Sequence, residues 1–557
     1  MWTYRRFYLD VRKPLLVLLA LCAVLGPVAA PAIAAPTRVA AGLRSYFVIT
    51  APKETAKVAG AVTSNGGSIY AAYDAIGVLV VHSSNAAFAG RMRTVSGVQK
   101  VGATRTSDVP AAAANPPIPT SPKEQSATSA EVPRPDMTQI GADKAWAVNQ
   151  GSPSITVGVL DTGVDDQHPD LKANFDASKS ASCAYGKTDT RPGSWRPVDE
   201  HGTHVAGTIA AAKNGQGMVG VAPGVKVSSI RIAEPGTKLF FPENTVCAFV
   251  FAAERKVSVT NNSYYVDPWL YACPSDPDQA AIAEAVRRSV AYADSLGVVN
   301  VAAAGNEGDD LAAKSGDATS PDDSNPASRP ITDDCLSLPT ELPGVVVVGS
   351  VDANDSKSDF SNFGTGKISL AAPGESVYST VPGGGYATLN GTSMASPHVA
   401  GVAALIRSTN PKLTPGQVRA KLAGEADDLS CPALSVGACT GSTGDNSFYG
   451  EGLVDAAEAV GAATKTPTSG VTITKPSEQL GIGGVPAVPL LLKGQSRAGD
   501  VTYSAVGLPP GLSIDRARGW VTGVLAPGVG KYKVTVTARD ATGKTDQAVF
   551  SWDVWSF

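Results

Sequence analysis

The chain has 557 residues, of which 43% are hydrophobic and 17% are charged, and its formal net charge is -4. This composition is typical of a globular protein with room for about three to five domains. Because acidic residues slightly outnumber basic ones, nothing draws the chain to nucleic acid, and we expect no nucleic-acid partner.

The first 34 residues have the pattern of a secretory signal peptide. Four basic residues precede an apolar run at residues 15–25, and a small-x-small sequence, AIA, follows at residues 32–34. A membrane anchor is the alternative, but the run is short for crossing a bilayer. We therefore expect a secreted, extracellular protein with no membrane association after the signal is removed.

Cysteine usage agrees with export. Cys22 lies within the signal, and six other cysteines remain. An even number in an exported chain predicts disulfides, here up to three. The short spacing favours Cys431 with Cys439, and the remaining pairs are predicted as Cys273 with Cys335 and Cys183 with Cys247. Since no Cys-x-x-Cys is present, a thiolate zinc site is not expected.

Residues 43–109 are predicted to form a small α+β domain. A strand at residues 45–50 is followed by a helical stretch, a second strand at residues 77–81 and a second helix near residues 85–94. Residues 110–135 are rich in Ala, Pro, Ser and Thr and lack periodicity. That composition indicates a flexible, protease-accessible linker.

Residues 136–462 alternate between apolar runs and helical patterns. The runs at residues 155–160, 257–259, 298–304 and 345–348 are apolar on both faces, as in buried parallel strands. Helices are predicted at residues 244–255, 279–296 and 393–407. This alternation predicts an α/β fold with a parallel sheet covered by helices on both faces.

The end of the chain differs in character. A second linker, residues 463–470, precedes residues 471–557, in which residues 471–474 and 532–537 alternate apolar and polar side chains. Gly and Pro turns separate these stretches. The pattern predicts a small β-sandwich.

Two polar motifs lie in the central region. Asp161 ends a predicted buried strand within residues 159–163, VLDTG, where parallel sheets place catalytic groups; alternatively, it only turns the chain. His201 and His204 lie in residues 201–208, HGTHVAGT. Histidines three apart on a helix share a face and could bind a metal, but no third ligand lies in a recognisable motif nearby.

A third motif, NGTSMASPHVAG, occupies residues 390–401. Ser393 lies at the start of a predicted helix, where unpaired N–H groups favour negative charge. A serine there could also be a simple N-cap. None of the three motifs is decisive by itself.

Taken in this order, the three motifs resemble the active-site blocks of the subtilisin-like serine peptidases, the subtilases, over about residues 136–460. The resemblance implies that Asp161 orients and charge-stabilises His201, and that His201 is the general base for the nucleophile Ser393. It further implies peptide-bond hydrolysis through an acyl-enzyme intermediate. The substrates would be proteins or peptides.

The resemblance extends to substrate-binding residues. Asn306, within residues 302–308, AAAGNEG, matches the family's oxyanion-hole asparagine, although it could be an ordinary turn residue. Ser263 and Gly305 are expected to bind substrate. Two tyrosines, at 264 and 265, stand where small residues are usual, which leaves side-chain preference open.

No cofactor is expected for the chemistry. The family often holds a structural calcium ion, and Asp170 and Asn214 fall at matching offsets with oxygen ligands suited to Ca²⁺. Asp170 could instead cap a helix.

The outer domains complete the resemblance. Residues 43–109 resemble the subtilase propeptide, which is an intramolecular chaperone and inhibitor, with an independent binding domain as the alternative. The last domain resembles immunoglobulin-like modules. The sequence thus predicts a monomeric, secreted serine endopeptidase made as a zymogen. The alternatives are a catalytically silent protein on a subtilase scaffold and a surface-binding protein led by the C-terminal domain.

Overall fold

The computed structural model describes residues 42–123, 130–432, 439–462, 471–496, 501–540 and 545–555. The predicted signal peptide lies outside this part of the chain. We call residues 42–109 the N-terminal module, residues 130–462 the central module and residues 471–555 the C-terminal module.

The N-terminal module is a four-stranded antiparallel sheet with two helices. The strands lie in the order β2-β3-β1-β4. Its elements are β1 Arg44–Thr50, α1 Thr55–Ser64, β2 Gly67–Tyr73, β3 Val78–Ser83, α2 Phe88–Met92 and β4 Val98–Ala103. The sequence pattern had indicated only two of these strands, because β2 and β4 carry little continuous apolar character.

The central module is built on a seven-stranded sheet in the order β13-β12-β9-β8-β5-β7-β6, and every pairing in it is parallel. Its helices are α3 Pro135–Gln139, α4 Ala142–Val148, α5 His201–Ala210, α6 Pro242–Glu254, α7 Pro277–Ser295, α8 Thr392–Thr409, α9 Pro415–Gly424 and α10 Ala456–Ala459. The strands are β5 Thr156–Asp161, β6 Ala181–Ser182, β7 Lys226–Arg231, β8 Val259–Asn262, β9 Val299–Ala303, β10 Gly316–Asp317, β11 Arg329–Pro330, β12 Val345–Val351, β13 Leu370–Pro373, β14 Val377–Val381, β15 Gly385–Leu389, β16 Gly441–Ser442 and β17 Asp445–Asn446.

Helices cover both faces of the central sheet. Val157 and Val159 of β5 pack in the core that contains α5 and α8. Leu160 of the same strand packs in the core that contains α6 and α7. The predicted α/β fold is therefore confirmed. Strand β7 had escaped the sequence pattern because two buried serines, Ser228 and Ser229, interrupt its apolar run.

The N-terminal module shares one of these cores. Tyr46 and Val48 of β1 face the module's own helices, whereas Phe47 and Ile49 face α6 and α7 of the central module. Strand β4 lies directly on the first turn of α7, since a side chain at Gly102 would come within 2.5 Å of the Asp278 Cα. Strand β1 of this small sheet thus buries side chains on both faces.

The C-terminal module is built entirely of strands within its described residues. They form a four-stranded, a three-stranded and a two-stranded sheet. The strands are β18 Val471–Ile473, β19 Gln479–Ile482, β20 Leu490–Leu491, β21 Gly494–Ser496, β22 Val501–Val506, β23 Leu512–Ile514, β24 Trp520–Gly523, β25 Gly530–Asp540 and β26 Thr545–Trp555. Its core, which includes Val521, Val534 and Trp552, draws on this module alone.

Three disulfides link the central module. They join Cys183 to Cys247, Cys273 to Cys335 and Cys431 to Cys439, the same pairs that the sequence analysis named. Within the described residues, no helix combines the length and apolar character needed to span a bilayer.

Candidate active site

Asp161 and His201 meet at the carboxyl edge of the central sheet. Asp161 is the fully buried last residue of β5, and its Oδ1 and Oδ2 lie 2.9 and 3.0 Å from His201 Nδ1. His201 is the first residue of α5. A side chain at the next position, Gly202, would lie 2.5 Å from the Gly163 carbonyl oxygen. Glycine there lets the helix begin this close to the strand.

The carboxylate sets the state of the imidazole. Because Nδ1 faces a carboxylate, it carries the proton and donates, and Nε2 is the nitrogen left to exchange protons. Burial of the ring lowers the pKa of His201, but the charge and hydrogen bond of Asp161, with Asp199 and Glu200 beyond, outweigh it. The pKa of His201 is consequently raised above its ordinary value.

Ser393 lies on the first turn of α8, which packs against α5. Its Oγ donates to the Ser263 carbonyl at 3.3 Å, and Ser263 Oγ donates back to the Ser393 carbonyl at 3.0 Å. Ser263 directly follows β8, the neighbour of β5 in the sheet. The sheet thus brings Ser393 to the same edge as Asp161. Both residues are described, and the structure has no hydrogen bond between Ser393 and His201.

Asn306 is held by the residue before Ser393. Its Oδ1 accepts from the Thr392 backbone N–H at 2.8 Å and from Thr392 Oγ1 at 2.9 Å. Since a backbone N–H can only donate, the side-chain oxygen must occupy that position and the amide nitrogen must face the other way. Asn306 itself is exposed. Sequence reasoning had not singled out Thr392, although it lies inside the serine motif.

A cavity of about 290 Å³ opens beside these residues. Ser393, Asn306, Ser263 and Gly305 all line it, so the structure brings the predicted nucleophile, oxyanion donor and substrate-binding residues to one place. All of its lining residues among those described belong to the central module.

The two tyrosines after Ser263 also line the cavity. Tyr264 is buried and packs against Phe240, with ring centroids 5.1 Å apart. Tyr265 donates from its hydroxyl to Asp322 Oδ2 at 2.9 Å. These contacts fix both rings in the cavity wall.

Two carboxylates in the cavity wall were not foreseen from the sequence. Asp267 accepts from the Phe240 N–H, and burial followed by contact with Asp322 raises its pKa well above the ordinary value. Both residues lie in loops with no recognisable motif, so only the fold could bring them together.

The second histidine of its motif has a different setting. His204 is buried, with Nε2 lying 3.0 and 3.2 Å from the carbonyl oxygens of Val377 and Ala387 in the β14–β15 hairpin. Burial lowers its pKa to about 3. It therefore acts as a neutral donor that anchors the hairpin, and it does not form a metal pair with His201.

Two parts of the chain match known protein families. Residues 152–452 match the model of the Subtilase family, and residues 464–555 match that of the family described as "Putative Ig domain". The chain belongs to the subtilase family. This subtilase is a serine endopeptidase with an immunoglobulin-like C-terminal region.

Individual proteins that resemble this chain are also serine proteases of the subtilisin type. The chain is 35% identical over 316 residues to subtilisin DY of Bacillus licheniformis, covering 57% of this chain and 94% of that protein. It is 36% identical over 278 residues to an intracellular serine protease of Paenibacillus polymyxa, covering 50% of this chain and 73% of that one. The solved epidermin leader peptide processing serine protease of Staphylococcus aureus shares the fold, with a TM-score of 0.60, 21% identity and coverage of 77% and 100%.

The calcium expectation in this subtilase rests on Asp170 and Asn214. The structure brings them together, but Asn214 Nδ2 donates to Asp170 Oδ1 at 3.2 Å. Asp170 Oδ2 accepts from the Met218 N–H at 3.0 Å and from the Tyr386 hydroxyl at 2.9 Å. Donors rather than oxygen ligands thus surround this buried carboxylate. The arrangement does not fit a calcium ion, and none enters the proposed function.

Proposed function

We propose that this endopeptidase cleaves peptide bonds with Ser393 as nucleophile, His201 as general base and acid, and Asp161 as the group that orients and stabilises the imidazole. The observation that carries the proposal is the Asp161–His201 pair at the start of α5. Helix α8, which carries Ser393 in its first turn, packs against that helix at the same edge of the sheet.

The reaction begins when Ser393 Oγ leaves the Ser263 carbonyl and turns towards His201 Nε2. As Oγ attacks the substrate carbonyl carbon, Nε2 takes its proton. The negative charge that forms on the carbonyl oxygen receives hydrogen bonds from Asn306 Nδ2 and from the Ser393 backbone N–H. That N–H lies in the first helical turn, where no helical carbonyl is available to accept from it.

The intermediate then collapses. The C–N bond breaks, and His201 Nε2 gives its proton to the leaving amine, which leaves an ester between Ser393 Oγ and the acyl group. Water attacks this ester while His201 takes its proton. The acid is released and Ser393 regains its proton. Through both steps the Asp161 carboxylate offsets the positive charge of the imidazolium.

The proposal includes synthesis of the enzyme as an inactive precursor, a zymogen. The N-terminal module is an intramolecular inhibitor, and it is cut off within residues 110–135. Support comes from the module's last residues, since the N–H groups of Thr106 and Ser107 both donate to Asp323 Oδ2 at 2.8 Å. Asp323 adjoins Asp322 in the cavity wall.

Export and a monomeric state complete the proposal. Three disulfides in the central module suit an oxidising compartment, and residues 1–34 have the signal-peptide pattern. One chain supplies every residue of the site, so a monomer contains the whole catalytic apparatus.

Expression of the wild type beside Ser393→Ala tests the proposal. We expect the wild type to hydrolyse casein and to appear with a new N-terminus within residues 110–135. The variant should show neither, since removing the nucleophile costs on the order of 10⁶-fold in rate. Casein hydrolysis by Ser393→Ala at the wild-type rate would contradict the assigned nucleophile. An inactive, uncut wild type would favour a catalytically silent protein.

A further inference from the structure

An arginine of the N-terminal module is buried in a pocket of the central module. Arg105 is only 3% exposed, and Glu234 and Glu243 are each 1% exposed. Arg105 Nη2 lies 2.6 Å from Glu234 Oε1 and 2.6 Å from Glu243 Oε1, while Nε donates to Glu243 Oε1 at 3.0 Å. The guanidinium carbon lies 3.6 Å from the centroid of the Phe241 ring.

The pocket is shaped for a guanidinium group. Three of its nitrogens are used, because Nη1 also donates to Glu234 Oε2 at 3.2 Å. A planar fork that pairs with carboxylates and stacks on a ring is specific to arginine, and a lysine ammonium could not make all of these contacts.

The acidic groups of the pocket belong to the central module, whereas the cation belongs to the N-terminal module. Two carboxylates share one cation, and Glu243 Oε2 is buried without a hydrogen-bond partner. When Arg105 leaves, the two acids and the Phe241 ring stay with the central module. The pocket can therefore pair with a second guanidinium group after the N-terminal module departs.

The pocket borders the catalytic cavity. Glu234 begins a tight loop in which its N–H donates to the Leu239 carbonyl at 3.2 Å. The end of that loop, at Lys238, Leu239 and Phe240, lines the cavity that contains Ser393. Phe241 of the pocket directly follows Phe240 of this wall, which places the pocket beside the cavity.

We propose that Glu234, Glu243 and Phe241 form an arginine-binding subsite of the substrate cleft, which Arg105 fills in the uncleaved chain and a substrate arginine fills in the processed enzyme. The inference rests on the proposed function, because it requires catalysis and release of the N-terminal module. It adds a substrate class, namely peptides with an arginine at a set distance from the cleaved bond.

The test uses active enzyme recovered from expression of the full chain. Fluorogenic peptides carry one arginine, moved a position at a time along the amino-terminal side of the cleaved bond. Each has a partner with citrulline, which keeps the shape but lacks the charge. At one position we expect kcat/KM to be at least about tenfold higher for arginine, as charged hydrogen bonds of this kind imply.

Two variants assign that preference to the pocket. Glu243→Gln should reduce the arginine-to-citrulline ratio at that position to about threefold or less, as expected when one charged hydrogen-bond partner is lost. Glu254→Gln, the same change at the exposed end of the same helix, should leave the ratio as in the wild type. Glu234→Gln provides a second pocket variant if the first does not fold.

The peptide assay distinguishes an incorrect arginine subsite from an incorrect catalytic function. Cleavage with equal rates for arginine and citrulline at every position would overturn the subsite. A preference that both pocket variants retain in full would overturn it as well, by placing arginine elsewhere in the cleft. Absence of cleavage of every peptide, by wild type and Ser393→Ala alike, would instead overturn the proposed catalytic function.

Discussion

The N-terminal and C-terminal modules are joined to the central module in opposite ways. The N-terminal sheet places Phe47, Ile49, Val78 and Val80 in a core shared with α6 and α7. The C-terminal module keeps its core within residues 471–555. A sheet with two apolar faces needs a partner on each, whereas a closed core needs none. This difference indicates that the central module depends on the N-terminal module, and not on the C-terminal module, to fold.

Polar contacts show the same contrast. Arg105 of the N-terminal module is enclosed by two carboxylates of the central module. The C-terminal module contributes Lys475, which pairs with Asp445 at partly exposed positions. Exposed pairs of this kind contribute only about 0–1 kcal/mol. Among the described residues, this ion pair is therefore a weak tie between the C-terminal and central modules.

Deleting each module in turn should have the largest effect. Residues 43–109 cover apolar side chains of α6 and α7 while the chain folds, and each such side chain contributes about 1.5–3 kcal/mol when buried. A chain expressed without residues 43–109 should therefore yield almost no active enzyme, whereas enzyme that folds before its N-terminal module is cut off stays active. Ending the chain at residue 462 should leave casein hydrolysis per mole unchanged. Comparable losses from the two deletions would contradict the contrast.

A matched pair of core substitutions tests whether the N-terminal module unfolds together with the central module while the C-terminal module unfolds separately. Phe47→Ala and Phe550→Ala each remove a buried ring, at a cost of about 3–5 kcal/mol. In the uncut Ser393→Ala background, calorimetry should show Phe47→Ala lowering the transition of the N-terminal and central modules together. Phe550→Ala should lower a separate C-terminal transition. A single transition that shifts equally in both variants would show that all three modules unfold as one.

The pH dependence of catalysis should be independent of the C-terminal module. His201 must be neutral to act as a base, and its pKa is raised above the ordinary 6.5 by Asp161, Asp199 and Glu200, which outweigh the opposing effect of burial. The value of kcat/KM should therefore fall about tenfold per pH unit below that raised pKa and level off above it. Enzyme truncated at residue 462 should have the same break, and a shifted break would indicate an unseen coupling.

The smallest effect concerns the start of α7, on which β4 rests. Asp276 caps this helix by accepting from the N–H groups of Asp278 and Gln279, both at 2.9 Å. Asp276→Ala should lower the free energy of unfolding by about 1 kcal/mol, whereas Asp276→Asn should retain most of the cap. Denaturant titration of the uncut enzyme checks this. Equal losses in both variants would point to the charge rather than to the cap.

The sequence by itself determined the fold class and the candidate catalytic residues. Strand β5 is a continuous buried run, and the motifs around Asp161, His201 and Ser393 are local patterns that do not depend on distant contacts. Asn306 was named in the same way, although the orientation of its amide became evident only from its bonds to Thr392.

Only the tertiary structure decided the features that depend on residues far apart in the chain. Asp267 and Asp322 meet in the cavity wall because two loops fold over it. Tyr386 reaches Asp170 from a distant hairpin and helps to fill a position that sequence offsets had suggested for calcium. Arg105 forms ion pairs with carboxylates that lie 129 and 138 residues further along the chain. Burial and charge pairing at such separations leave no periodic or local signal, so the sequence could not reveal them.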